Sequence, residues 1–251
     1  MDPPNLLSMA SQTIVISDIH LGAIPKRNEQ AFLSFLDQAP EWGDRLLING
    51  DLFDFWFEYR QVIPRGHLST LARLRRLVDG GMGVQFVGGN HDAWGGSFLE
   101  EEVGLEILKS PYFGSIGDRN AYVAHGDGLG GSDWGYRLLK WASRSRSGRK
   151  LFQWIHPDIG VPLARHASRT EHSEATGLPT EGSRAGHLAA HAQKILDEFS
   201  DLDLVVLGHA HKPELWEVSP SRFYLNAGDW IHHNSFAIVS SEEIRLETFQ
   251  E

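Results

Sequence analysis

TIVISDIH, residues 13–20, runs from a short apolar stretch straight into an acid and an imidazole. Thr13 to Ser17 shows no polar alternation, so it reads as a strand covered on both faces. Asp18 and His20 stand where that strand ends. The pattern recurs four times downstream. Arg45 to Ile48 (RLLI) leads into Asn49-Gly50-Asp51, and Gly83 to Val87 (GVQFV) into Gly88-Gly89-Asn90-His91-Asp92. Ala121 to Ala124 (AYVA) leads into His125-Gly126-Asp127, and Leu202 to Leu207 (LDLVVL) into Gly208-His209-Ala210-His211. Helical patterns lie between: Gln30 to Leu36 and Leu68 to Val78 place apolar residues at i, i+3 and i+4. Strands alternating with helices predict an α/β fold with a largely central sheet. Arg222 to Leu225, Ser235 to Val239 and Ile244 to Thr248 are expected to form a strand meander closing one edge.

In an open α/β sheet, ligands bind beyond the carboxyl ends of the strands. The five motifs are therefore expected to meet in space, far apart as they are in sequence. Alone, each says little. An Asp after a strand is usually a turn residue or a helix cap, and a single His usually belongs to core or surface. Together they offer carboxylates, imidazoles and a carboxamide, a donor set suited to Mn²⁺, Fe²⁺, Zn²⁺ or Co²⁺. Seven such ligands are too many for one ion with an open position. They fit two ions sharing a carboxylate. The glycines at 50, 89, 126 and 208 are expected to let the chain turn tightly and keep bulk off the ions.

Composition narrows the rest. The chain has 251 residues, 41% apolar and 22% charged, an ordinary globular mix. At about 150 residues per domain, that implies one large domain or a domain with an insertion. Cysteine is absent, which excludes disulfides, thiolate metal sites and cysteine nucleophiles. A net charge of −10 argues against broad nucleic-acid binding. No window is long and apolar enough for a transmembrane helix. Residues 1–12 lack the basic and apolar regions of a secretory signal and are expected to be a disordered leader, with the cytoplasm as the default location. The catalytic domain is expected over 13–135 and 194–251. Residues 136–193 show helical patterns and Gly, Ser and Pro breaks but no good strand, and read as an inserted helical cap. From Arg137 to Arg169 the chain carries eight basic residues against one acid, Asp158.

DIH, NGDLFD, GGNHD, AHGD and GHAH, in that order, resemble the signature blocks of the calcineurin-like metallophosphoesterases. The resemblance runs from Asp18 to at least His211. It implies a four-layer β-sandwich flanked by helices, with two metal ions at the strand ends. It puts Asp18, His20 and His211 on one ion and Asn90, His125 and His209 on the other, with Asp51 bridging. Within the superfamily, SDIHLG, GDLFDFW at 50–56, HGDGLGGSDWGYR at 125–137 and GDW at 228–230 look most like the UDP-2,3-diacylglucosamine hydrolases of lipid A synthesis. That resemblance implies Mn²⁺, an anionic nucleotide-lipid substrate and peripheral attachment to the inner membrane. It places Asp133 and Tyr136 at the substrate, joined by Asn90, His91 and His209. The basic cap then reads as a lid attracting an anionic lipid, with Trp141, Leu151, Phe152, Trp154 and Ile155 giving apolar contact.

His91 stands where known members of that family carry Arg; His is the wider superfamily pattern. It is expected beside the ions, stabilising the transition state or protonating the leaving group, with Asp92 fixing its tautomer. A further metal ligand or a merely structural residue is the alternative role. Asp127 is expected to orient His125, and Asp54 to be structural. Trp56, Phe57 and Tyr59 read as core or site wall, and His67 and the cap histidines as solvated. One of His232 and His233 is a candidate for approaching the site. Two other functions compete: a metallophosphoesterase of soluble phosphodiesters, nucleotides or phosphomonoesters, and a non-catalytic scaffold. The complete donor set argues against the scaffold.

Overall fold

The computed structural model describes residues 11–59, 61–92, 97–129, 154–160 and 184–250. Asp133, Tyr136, residues 1–10 and most of the expected cap lie outside them. Ser11 and Gln12, the last residues of the expected leader, are tied down: the Gln12 amide donates to Asp44 Oδ1 at 2.8 Å and the Ser11 amide to Asp118 Oδ2 at 3.2 Å.

Two mixed sheets flanked by helices are present, as the family resemblance implies, where the strand and helix patterns by themselves suggested one largely central sheet. The first contains β1 (Thr13–Ile16), β2 (Arg45–Asn49), β3 (Gly83–Val87) and β4 (Glu106–Leu108), all parallel. Two C-terminal strands, β10 (Ser235–Val239) and β11 (Ile244–Thr248), extend it antiparallel beyond β1. The second has the order β5 (Tyr112–Ile116), β6 (Arg119–Val123), β7 (Leu204–Val206), β9 (Arg222–Ala227) and β8 (Pro213–Ser219). In it β6, β7 and β9 are parallel. The expected meander is thus split: β9 leaves the other two strands and joins the second sheet. Its inward residues Leu225 and Ala227 pack with Val123 and Val206.

Alternation along each strand explains why two sheets form. Val15, Leu47 and Val87 turn inward against Ala121, Val123, Leu204 and Val206 of the facing sheet. Ile14, Ile16, Leu46, Ile48 and Phe86 turn outward under α1 (Lys26–Gln38) and α2 (Leu68–Asp79). Tyr122, Val205 and Tyr224 of the second sheet turn outward under α3 (Arg184–Glu198), against Leu188, Ala192 and Leu196. Both faces of these strands are apolar, so each sheet needs cover on two sides. α3 continues through residue 193, so the limit expected for the cap falls inside one helix.

One helix contact matters for the site. Phe32 and Phe35, on the buried face of α1, lie 5.0 and 4.9 Å from the Trp230 ring centroid. That fully buried indole anchors the loop between β9 and β10.

Candidate metal centre

The carboxyl ends of β1, β2, β3, β6 and β7 converge, and the expected donors come with them. Asp18, His20 and His211 offer ligand atoms within 4.8 Å of one another, and so do Asp51, His125 and His209. These buried groups are consistent with a dimetal site. Donors around an ion at bond lengths near 2.1 Å stand about 3 Å apart, so such groups need little movement to close on a cation.

Backbone conformation lets the strand ends serve. Asp18, His20, Asp51, His209 and His211 all have positive φ, between 52° and 63°. Of the eight described non-glycine residues in this region, five are expected ligands. Asp and His enter it more readily than most residues, yet each such position costs about 1–3 kcal/mol and persists only where its surroundings hold it.

The surroundings are hydrogen bonds that leave one oxygen of each carboxylate for the ions. Asp18 Oδ2 accepts from the Ser17 hydroxyl and from the His209 amide. Its buried Oδ1 faces His211 Nε2 at 3.4 Å and the Nε2 atoms of His20 and His125 at 3.9 Å. Asp51 Oδ1 accepts the His91 amide at 2.9 Å. Its Oδ2 faces His125 Nε2 at 3.1 Å, His20 Nε2 at 3.8 Å and His91 Nε2 at 4.0 Å. One oxygen therefore reaches imidazoles of both groups, as a bridging ligand must. Gly89 keeps this possible, since a Cβ there would land on Asp51 Oδ1. Gly50, at φ 87°, clears the ring of His125 in the same way. Asn90 lies between Gly89 and His91, with its Oδ1 buried.

The imidazoles are oriented by groups other than those expected. His91 Nδ1 lies 2.8 Å from the Asp54 carbonyl. A carbonyl only accepts, so Nδ1 carries the proton and Nε2 faces the cluster. Asp92 does not hold this tautomer: its carboxylate accepts from the amides of Gly89, Asp51 and Phe53 at 2.8–3.2 Å. It pins the β2 and β3 loops together. His125 Nδ1 likewise meets the Asn49 carbonyl at 2.9 Å, the contact expected of Asp127. The Asn49 side chain donates back to Ala124 O at 3.1 Å and so links β2 to β6. Asp54, read as structural, groups with His20 and His91 within 4.8 Å. His67 is buried against Phe53, with ring centroids 4.8 Å apart, rather than solvated. Trp56 and Phe57 are buried, Trp56 in the core against Phe53.

Asp229 is the residue that sequence reasoning missed. It is fully buried, and its Oδ2 lies 3.3 Å from His211 Nδ1. His233 reaches the site through it, since His233 Nδ1 donates to Asp229 Oδ1 at 3.0 Å. The signal was present: GDW directly follows a strand, as the five recognised motifs do.

Without cations, these groups must balance one another's charge. Burial opposes charge on Asp51, but His125, His91 and His20 outweigh it and hold the carboxyl well below its usual range. Burial likewise lowers His125, and Asp51 and Asp18 more than reverse this, raising it well above 6.5. Burial and then His125 keep His209 neutral, the form in which imidazole binds metal. Burial, with Asp51 adding to it, pushes Asp92 up to about 7.

With that geometry in view, the family follows. Residues 12–213 match the model of the calcineurin-like phosphoesterases. The chain belongs to that family. It is a metal-dependent phosphoesterase. Among curated proteins it is similar to the UDP-2,3-diacylglucosamine hydrolase of Porphyromonas gingivalis W83, at 28% identity over 97% of this chain and 99% of that one. The enzyme of that name from Salmonella arizonae is 27% identical over 94% and 98%. No helix of the described residues is long and apolar enough to cross a membrane.

Proposed function

We propose that this phosphoesterase cleaves the pyrophosphate of UDP-2,3-diacylglucosamine, releasing UMP and 2,3-diacylglucosamine 1-phosphate. The likeness to enzymes of that name over nearly the whole of both chains carries the proposal. A local likeness would reach only the shared metal motifs. This one extends through the region that divides the catalytic body.

Asp18, His20 and His211 would hold one ion in this reading, Asn90, His125 and His209 the other, with Asp51 shared. When bound, two divalent ions (Mn²⁺ first, with Fe²⁺, Zn²⁺ or Co²⁺ as substitutes) would supply polarisation of the phosphoryl oxygens and a lowered pKa for a water. The protein supplies the rest. Asn90, His91 and His209 line the phosphoryl position. His91, fixed as the Nδ1–H tautomer, turns Nε2 toward the reacting group, where it offsets developing charge or, when protonated, passes a proton to the leaving oxygen. In this reading Asp133 and Tyr136 contact the substrate, and the basic stretch from Arg137 to Arg169 serves as the cap. Trp154 and Ile159, exposed in the described part of that region, suit contact with acyl chains or with the cytoplasmic face of the inner membrane.

The test is Mn²⁺-dependent release of UMP from the lipid-linked substrate, run beside bis-p-nitrophenyl phosphate. Hydrolysis of both, with strong preference for the lipid, is expected. Cleavage of the generic diester with no UMP release would end the lipid reading and turn the search to soluble substrates.

A further inference from the structure

His211 differs from two other imidazoles of the centre in what holds it. His91 and His125 each present Nδ1 to a backbone carbonyl, an uncharged acceptor. His211 Nδ1 faces a carboxylate, Asp229 Oδ2, at 3.3 Å. That carboxylate is divided in its duties. Oδ1 accepts the amides of His232 and His233 and Nδ1 of His233, each at 3.0 Å. Oδ2, buried, is left to His211.

The loop bearing Asp229 is fastened to the strand end bearing Asp18. The Trp230 amide donates to the Asp18 carbonyl at 3.2 Å, and the Ser17 hydroxyl to the Gly228 carbonyl at 3.2 Å. Asn28 Nδ2 donates to the carbonyls of Trp230 and Ile231 at 2.9 and 3.0 Å. The position of Asp229 is thereby set relative to Asp18 as well as to His211, whose Nε2 lies 3.4 Å from Asp18 Oδ1.

We infer that Asp229 is a positioning residue for one ion site only: its carboxylate holds His211 as the Nδ1–H tautomer, aims Nε2 at the ion shared with Asp18 and His20, and leaves the second site untouched. The inference rests on the two-ion reading above. It makes the two sites unequal. The first gathers Asp18 and Asp51 with Asp229 directly behind His211, while the second has Asp51, with the charge of Asp127 also felt by His125 and His209. Carboxylates behind a ligating imidazole typically contribute about 10–100-fold in metal affinity.

The experiment is titration of metal-free protein with Mn²⁺, followed by equilibrium dialysis and by electron paramagnetic resonance. The wild-type chain is expected to take up two ions and show an exchange-coupled pair. Asp229→Asn keeps the acceptor for the loop amides and removes the charge. One of its two binding steps should move to 10–100-fold higher Mn²⁺, with an isolated-ion signal in the interval. Asn28→Ala loosens the same loop while sparing the carboxylate, and should move the same step by less than Asp229→Asn does. Wild-type behaviour of Asp229→Asn, equal weakening of both steps, or a shift in Asn28→Ala as large as that of Asp229→Asn would each overturn the inference while leaving two ions in place. A wild-type chain binding fewer than two would remove the two-ion reading, and the inference with it. Should Asp229→Asn fail to fold, ¹⁵N-histidine spectra of the Zn²⁺-loaded wild-type protein decide: a protonated Nδ1 on His211 is required, and ligation through Nδ1 refutes it.

Discussion

His91 has one nitrogen fixed by a main-chain carbonyl and the other turned toward Asp51, so in the proposed mechanism removing its ring subtracts a group at the phosphoryl position and spares the proposed ligands. His91→Ala is expected to lower kcat by about 10²–10⁴-fold, the usual scale for a positioned acid or base, with two ions retained by elemental analysis. Loss of metal would make it a ligand instead. Asn49 acts differently, because its side chain holds Ala124 O and its carbonyl holds His125. Asn49→Ala leaves a buried carbonyl unpaired, an expected loss of about 1–3 kcal/mol in denaturant unfolding. Residue types and spacing were enough to single out the Asp and His side chains that the fold gathers into buried clusters, because ligand chemistry demands such residues wherever the chain supplies them. What holds each donor was not legible. The partners of His91 and His125 are backbone carbonyls, which every residue possesses and no side chain announces. Asp92 has the right type and position to be His91's partner, yet spends its carboxylate on three amides.

At the scale of elements, α1 reaches the site through a single indole. Trp230→Ala opens a cavity beneath Phe32 and Phe35, and about 3–5 kcal/mol of stability should be lost. It also frees the loop carrying Asp229, so ion uptake at the His211 side should weaken in Mn²⁺ titrations of the folded variant. The central strands and both early helices were readable from periodicity, since a strand covered on both faces and an amphipathic helix leave unlike patterns. The strands that escaped were those at or near sheet edges. β5 and β8 mix exposed polar positions with Gly114 or Pro213, and β4 has only three residues. Assigning β9 to the wrong sheet had a physical cause too. Pairing partners of a buried strand are fixed by what packs inward, and sequence order alone places it next to its neighbours.

For the molecule as a whole, protons and cations compete for one cluster. With metal removed, His125 is raised above its ordinary value near 6.5, so the stability it contributes is full below that pH. It is lost as pH rises through the raised value. Chelated protein should therefore show a falling unfolding midpoint as the buffer is made more alkaline, while Mn²⁺-loaded protein should not, because a cation displaces that proton and binds more tightly as pH rises. At a hundredfold excess over Kd, each ion should add about 2.7 kcal/mol, measurable as a rise in midpoint. That the motifs converge was foreseeable from the rule for strand ends. That they converge from two layers came from the family resemblance and not from periodicity, because the inner and outer faces of these strands are equally greasy. The division has a consequence of its own. Asp18, His20, Asp51 and Asn90 hang from one sheet, His125, His209 and His211 from the other. Neither half can retain a cation pair unaided, so prising the halves apart should release both ions before either sheet frays. Leakage of metal would then serve as an early alarm for damage to the seam between them.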